Sequence, residues 1–178
     1  KNYHKSPLKK GRYDNCNFSH CNFSNANITD ITFTECSFDN CDFSMADIGN
    51  TSFREVQFLQ CKLMGLRFEN CNPFLLDFSF KDCNLHLASF YELKIKNTTF
   101  QKCNLQEVDF LSADLTQAIF AHCDFRNAVF SRTNLSKSDF RSSYNYLIDP
   151  EKNNIKKAKF SLDGIRGLLN KYDIKIEN

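Results

Sequence analysis

The chain has 178 residues, 25% of them charged, and a formal charge of +2, which suits one domain with at most a small appendage. Its 19 Phe against no Trp, 5 Gly and 3 Pro indicate one aromatic used repeatedly in one structural role. No apolar run approaches the ~20 residues of a membrane span, and the polar start KNYHKSPLKK is not a secretory signal, so a cytoplasmic protein without a membrane partner is expected.

Residues 1–12 are basic, carry no repeat and read as a short tail or cap. From Tyr13 onward the chain falls into blocks of five, beginning at Cys16 as CNFSH CNFSN ANITD ITFTE CSFDN CDFSM ADIGN TSFRE VQFLQ CKLMG LRFEN. The third residue of each block is Phe, Ile or Leu and the first is small or modest. A period of five fits neither a helix nor a plain strand, and self-similarity at a fixed period marks a solenoid. The frame falters at CNPFLLDFSF, where Pro73 takes a centre, and resumes two residues late at Leu85. From Cys103 to Phe140 it is regular again: CNLQE VDFLS ADLTQ AIFAH CDFRN AVFSR TNLSK SDF. It loosens through 144–154, and AKFSL restores one block at Phe160.

In an extended segment alternate side chains share a face, so the first and third residues of a block point inward and the second points out. The fourth and fifth residues, mostly polar, must turn the chain. If each turn is near a right angle, four blocks close a coil of about 20 residues, stacked at about 4.8 Å. The sequence passes that test. Allowing the slip near 72–80, Phe18, Phe38, Phe58, Phe78 or Phe80, Phe100, Phe120 and Phe140 fall in one column. Cys21, Cys41, Cys61, Cys83, Cys103 and Cys123 fall in another. The β-helix is expected over 13–160.

Residues 161–178 follow a different pattern. Ser161 is a plausible N-cap, and Leu162, Ile165, Leu168, Leu169 and Tyr172 make a helical stripe. Ile174 and Ile176 alternate with charges as a short strand. A solenoid needs its open end covered, so the helix is expected to cap it. The same apolar residues, with Gly164 and Gly167 permitting close approach, also form a candidate homodimer interface.

ADLTQ from Ala113, ANITD from Ala26 and ADIGN from Ala46 follow the motif A(D/N)LXX, so the chain resembles the pentapeptide repeat family from Cys16 to Phe140. The resemblance implies a right-handed quadrilateral β-helix. The tail is similar to that of the Qnr-like (fluoroquinolone-resistance) members, whose C-terminal helix dimerises and whose rod-shaped dimer resembles duplex DNA. It implies a DNA mimic that binds a type II topoisomerase, DNA gyrase or topoisomerase IV, and protects it from quinolones or toxins. Many Qnr-like members carry inserted loops; this frame tolerates only a two-residue slip, so the implied type is a loopless one. Direct nucleic-acid binding is not implied.

No catalytic or metal-binding pattern emerges. All nine cysteines occupy the first, inward position of a block, where free Cys packs as a small hydrophobe, and none forms a CxxC pair. His4, His20, His86 and His122 are scattered, and no GxSxG, P-loop or HExxH is present. A non-enzymatic protein without cofactors is expected. Charge is more informative: from Tyr13 to Asp149 there are 17 Asp and Glu against 11 Lys and Arg. Between Asp14 and Asp47 lie no Lys or Arg, so Asp14, Asp30, Glu35, Asp39, Asp42 and Asp47 form the candidate acidic interaction surface. Reversing Asp39, Asp42 and Asp47 is expected to leave the rod folded. The alternative function is a generic interaction solenoid, with the acids serving solubility.

Overall fold

In the computed structural model, which describes residues 1–175, the blocks wind into a parallel β-solenoid of about 6 turns with one short C-terminal helix. Each block runs straight for only three or four residues before turning, which keeps the strands short. They are β1 (Arg12–Asp14), β2 (Asn17–Ser19), β3 (Thr32–Thr34), β4 (Ser37–Asp39), β5 (Ser52–Arg54), β6 (Val56–Leu59), β7 (Phe78–Lys81), β8 (Thr99–Gln101) and β9 (Ile119–Ala121). Two parallel sheets result, β1-β3-β5 and β2-β4-β6-β7-β8-β9, on adjacent faces of the rod. The other faces are held by single bridges at the second residue of a block, such as Asn22 to Asp42 and Asn27 to Asp47.

Register follows the predicted columns. Phe18 lies opposite Phe38, Phe38 opposite Phe58 and Phe100 opposite Phe120. Across the slip Phe58 pairs with Phe80, so Phe80 continues the ladder while Phe78 fills the inward first position of the same block. The rings stack at 4.9 Å from Phe18 to Phe38, 5.3 Å from Phe58 to Phe80 and 4.7 Å from Phe120 to Phe140. A second ladder joins Phe68, Phe90, Phe110 and Phe130. First and third positions together make one continuous buried core.

The turn has a regular solution: the fifth residue of nearly every block is left-handed. Examples are Asn25 at φ 53°, Glu35 at 51°, Leu87 at 60° and Lys137 at 60°. Outside Gly this conformation costs about 1–2 kcal/mol, less for Asn and Asp. Leu87 is half exposed, so Leu87→Asn is expected to stabilise the protein by about 0.5–1 kcal/mol, read as a higher urea midpoint at unchanged slope.

The D/N of the repeat also has a cause. On the bridged faces the second-position carboxylate or amide accepts the N–H two residues on, closing an Asx turn. Asn22 Oδ1 takes the Ser24 N–H at 2.8 Å, Asp42 that of Ser44 at 2.9 Å and Asp109 that of Leu111 at 2.8 Å.

Both ends are covered. The Tyr3 N–H donates to the Asn22 carbonyl at 2.7 Å and its ring stacks on Phe23 at 4.5 Å, so Lys1–Lys5 take the geometry of a block. At the other end Phe160 stacks on Phe140 at 5.4 Å. Ser161 Oγ accepts the Gly164 N–H at 3.1 Å, as an N-cap should. The helix is shorter than its stripe suggested: regular α1 covers only Arg166–Leu169, flanked by 3₁₀ turns at Asp163–Ile165 and Asn170–Tyr172. Ile174 lies in no strand, and Ile176 falls outside the described residues.

The slip is a local bulge. The Asn72 N–H reaches the Thr51 carbonyl at 2.9 Å and the Asp77 N–H reaches that of Phe53 at 3.0 Å, leaving the segment between them looped out. Phe74 and Leu75 are thus thrown to the surface, 63% and 62% exposed, with the Arg54 guanidinium over the Phe74 ring at 5.6 Å.

Candidate functional site

Chemistry inside the rod is muted. All nine cysteines are free thiols and all but Cys16 are buried. The column runs beside the Phe ladder, and Cys41, Cys61 and Cys83 Sγ donate to the carbonyls of Phe18, Phe38 and Phe58 at 3.4, 3.3 and 3.3 Å. Among the described residues no group of three or more His, Cys, Asp or Glu is placed to hold a metal ion. Burial pushes the Cys71 thiol up to about 12 from 9.0. The folded protein therefore keeps a proton that the unfolded chain loses first. Stability is expected to fall as pH rises from about 9 toward 12, and Cys71→Ala should flatten that fall in urea titrations at successive pH values.

The candidate acids do not share a face. A quarter turn every five residues distributes them around the first coils. Asp14 ends β1, Glu35 sits at the corner after β3 and Asp39 ends β4 on the six-stranded sheet. Asp42 and Asp47 bridge on the two remaining faces, and Asp30 occupies a further corner.

Nor are they equally free. Asp30 is held by Lys10 Nζ at 2.9 Å and Asn50 Nδ2 at 2.9 Å, and these bonds hold its carboxyl below the usual range. Asp39 Oδ1 accepts from Asn40 Nδ2 at 3.1 Å. Asp42 and Asp47 cap their own turns, Asp47 through the Gly49 N–H at 3.0 Å. Both point outward, yet reversing them removes a turn cap as well as a charge. Asp14 and Glu35 form no ion pair among the described residues.

The predicted dimer residues divide similarly. Leu168 packs inward against the core and Leu169 is half-buried. Leu162 is 87% exposed, and Ile165, Tyr172 and Ile174 are exposed as well. Two glycines let the tail dock: a Cβ on Gly167 would overlap the Tyr146 carbonyl oxygen, and one on Gly164 would collide with the Tyr146 hydroxyl. The Ile148 N–H donates to the Gly167 carbonyl at 3.0 Å, and Lys171 Nζ clamps Asp149 at 2.8 Å and Glu151 at 2.7 Å. Sequence reasoning named the glycines but missed this clamp. A cleft of about 590 Å³ remains between α1 and the last coil, with Arg126, Arg141 and Arg166 among its lining.

The geometry has known counterparts. The family model described as "Pentapeptide repeat region" matches residues 6–74, 31–110 and 74–145. A trypsin-treated single-substitution variant of QnrB1, a plasmid-mediated fluoroquinolone resistance protein, is similar with a TM-score of 0.62 at 18% identity, over 99% of this chain and 96% of that one. Full-length QnrB1 is similar with a TM-score of 0.61 at 18% identity, over 97% and 95%. No curated protein matches the sequence. The period, the coil and these matches agree: the chain belongs to the pentapeptide repeat family.

Proposed function

We propose that this protein is a non-enzymatic, cytoplasmic, protein-binding rod that engages a type II topoisomerase, DNA gyrase or topoisomerase IV, as a DNA mimic. It would protect that enzyme from quinolones or toxins and act as a homodimer joined through its C-terminal segment. The observation that carries the reading is the stretch from Asp14 to Asp47, which bears six acids and no base and winds them around the rod. Duplex DNA likewise presents negative charge around its whole circumference. The whole-length likeness to QnrB1 supports the same class of rod. The partial use of Asp30, Asp42 and Asp47 in internal bonds favours the second reading, a generic interaction solenoid whose partner is another protein.

A gyrase supercoiling assay with and without a fluoroquinolone separates the two. Inhibition, or rescue from the drug, at micromolar protein is expected, and weaker for a variant carrying Asp14→Lys and Asp39→Lys. No effect on gyrase or topoisomerase IV under either condition leaves the generic solenoid.

A further inference from the structure

One edge of the rod carries a charge order that sequence columns alone had not exposed. Where the face of β1, β3 and β5 turns into the six-stranded face, the register aligns Glu55 with the exposed Asp77 and Asp77 with Asn97, and the left-handed corner residues at successive coils are Glu35, Glu55, Leu75, Asn97, Gln117, Lys137 and Lys157. All are exposed and left-handed, with φ between 51° and 62°. The corner is tied coil to coil: the Glu35 N–H donates to Arg54, that of Asn97 to Thr116 and that of Lys137 to Lys156. Each step therefore rises about 4.8 Å.

Within the chain these charges are uncompensated. Glu35, Glu55, Lys137 and Lys157 form no ion pair among the described residues, although each lies one coil from a like charge. Like charges directly opposite on neighbouring strands are unfavourable. Lys156 and Lys159 enlarge the basic end, and the nearby Asp139 carboxylate is already held by Arg141 Nη2 at 2.7 Å.

The order acid, neutral, base is its own complement under a two-fold rotation. With the axis at the level of Asn97, Glu35 falls opposite Lys157, Glu55 opposite Lys137, and the bulged coil with Leu75 and Asp77 opposite Gln117, so that one acid there meets an uncharged amide. The adjoining sheet is suited to face-to-face contact, since its outward second positions include Ser37, Gln57, Ser79, Thr99 and Ile119. On the far edge of that sheet Asp82 falls opposite His122, while Lys102 meets its own copy at the axis, one coil from Asp82 on either side.

We propose that this face binds a second copy of the chain, antiparallel and side by side, with the two acidic and two basic corners in register. Its contact is small. About seven coils of about 4.8 Å, by about 10 Å of extended block, give roughly 350 Å² per copy, below the size of stable interfaces. Association is therefore weak and sensitive to salt. It is independent of the proposed joining through the tail; two different two-fold contacts on one rod would build open chains.

Mixing variants tests it. Sedimentation velocity at about 100 μM protein and low salt would compare the wild type, E35K/E55K, K137E/K157E and an equimolar mixture of the two variants. Each variant alone places like charges across both halves of the contact, whereas the mixture places opposite charges across both. The expected result is self-association of the wild type that is lost in each variant alone, restored in the mixture and abolished by 0.5 M salt. Either variant associating like the wild type, or a mixture no larger than its components, overturns the proposal. A salt-resistant dimer common to all samples would belong to the tail and would overturn the edge contact if nothing larger forms.

Discussion

Phe58→Ala is expected to destabilise the rod by about 3–5 kcal/mol, measured as a loss in urea unfolding free energy. Phe58 is fully buried and stacked between Phe38 at 5.3 Å and Phe80 at 5.3 Å, with Phe43 and Phe53 edge-on at 5.7 and 5.8 Å. Removing the ring leaves a cavity that neighbours on adjacent coils cannot close, because their own backbones are pinned at strand spacing. Aromatic pairs are worth about 0.5–1.5 kcal/mol beyond area burial, a contribution already contained in that total. Phe160→Ala is the internal control: that ring is half-buried, and its one parallel-stacked neighbour is Phe140 at 5.4 Å. It should cost markedly less. Equal losses at the two sites would show that the ladder is not the main source of stability.

Gly167→Ala is expected to release the C-terminal segment. The added methyl would overlap the Tyr146 carbonyl oxygen and lie 3.0 Å from the Tyr146 ring, and the carbonyl is backbone that cannot swing aside. Retaining the bond from Ile148 to Gly167 would force the overlap, so the turn lifts and takes Leu168 off the core. Overpacking of this kind costs about 1–3 kcal/mol. Limited trypsin digestion should then cut after Arg166 or Lys171 at least about tenfold faster, since cleavage follows local opening. Gly49→Ala is the matched control, because its new methyl would meet only side-chain atoms at 3.3 Å. Undiminished protection in Gly167→Ala would mean the segment is held by the Lys171 clamp alone.

Much of this fold was legible because the blocks repeat chemistry at each position: small, any, Phe or Leu, then polar. Twenty residues separate Phe18 from Phe38 and Cys21 from Cys41, and coil closure follows from that spacing. The left-handed corner was not legible, since residues as different as His20, Met45, Leu87 and Lys137 occupy it. Backbone closure rather than side-chain preference sets that conformation. The Asx turns were hidden for a related reason: an outward Asn or Asp on a rod looks like solubilising surface until its N–H partner is located. Tyr3 escaped because a ring other than Phe begins the ladder, before the frame is established. The helix was overread because its apolar stripe serves partly to dock Leu168 on the last coil. The acids looked like one patch because linear proximity was taken for a shared face, which a quarter turn per block denies.

The bulge at Asn72–Asp77 has a mechanical consequence. The sheet β1-β3-β5 stops there, while the neighbouring sheet runs on without interruption from β6 to β7. The ladder from Phe68 to Phe90 also continues, at 4.6 Å. Three sides of the rod are therefore laced across this level and one is slack. Bending toward or away from the slack side costs less than bending in the perpendicular plane, so the protein is a beam with one compliant joint. Reorientation of its two halves is therefore expected to be easiest in the plane that contains the slack side.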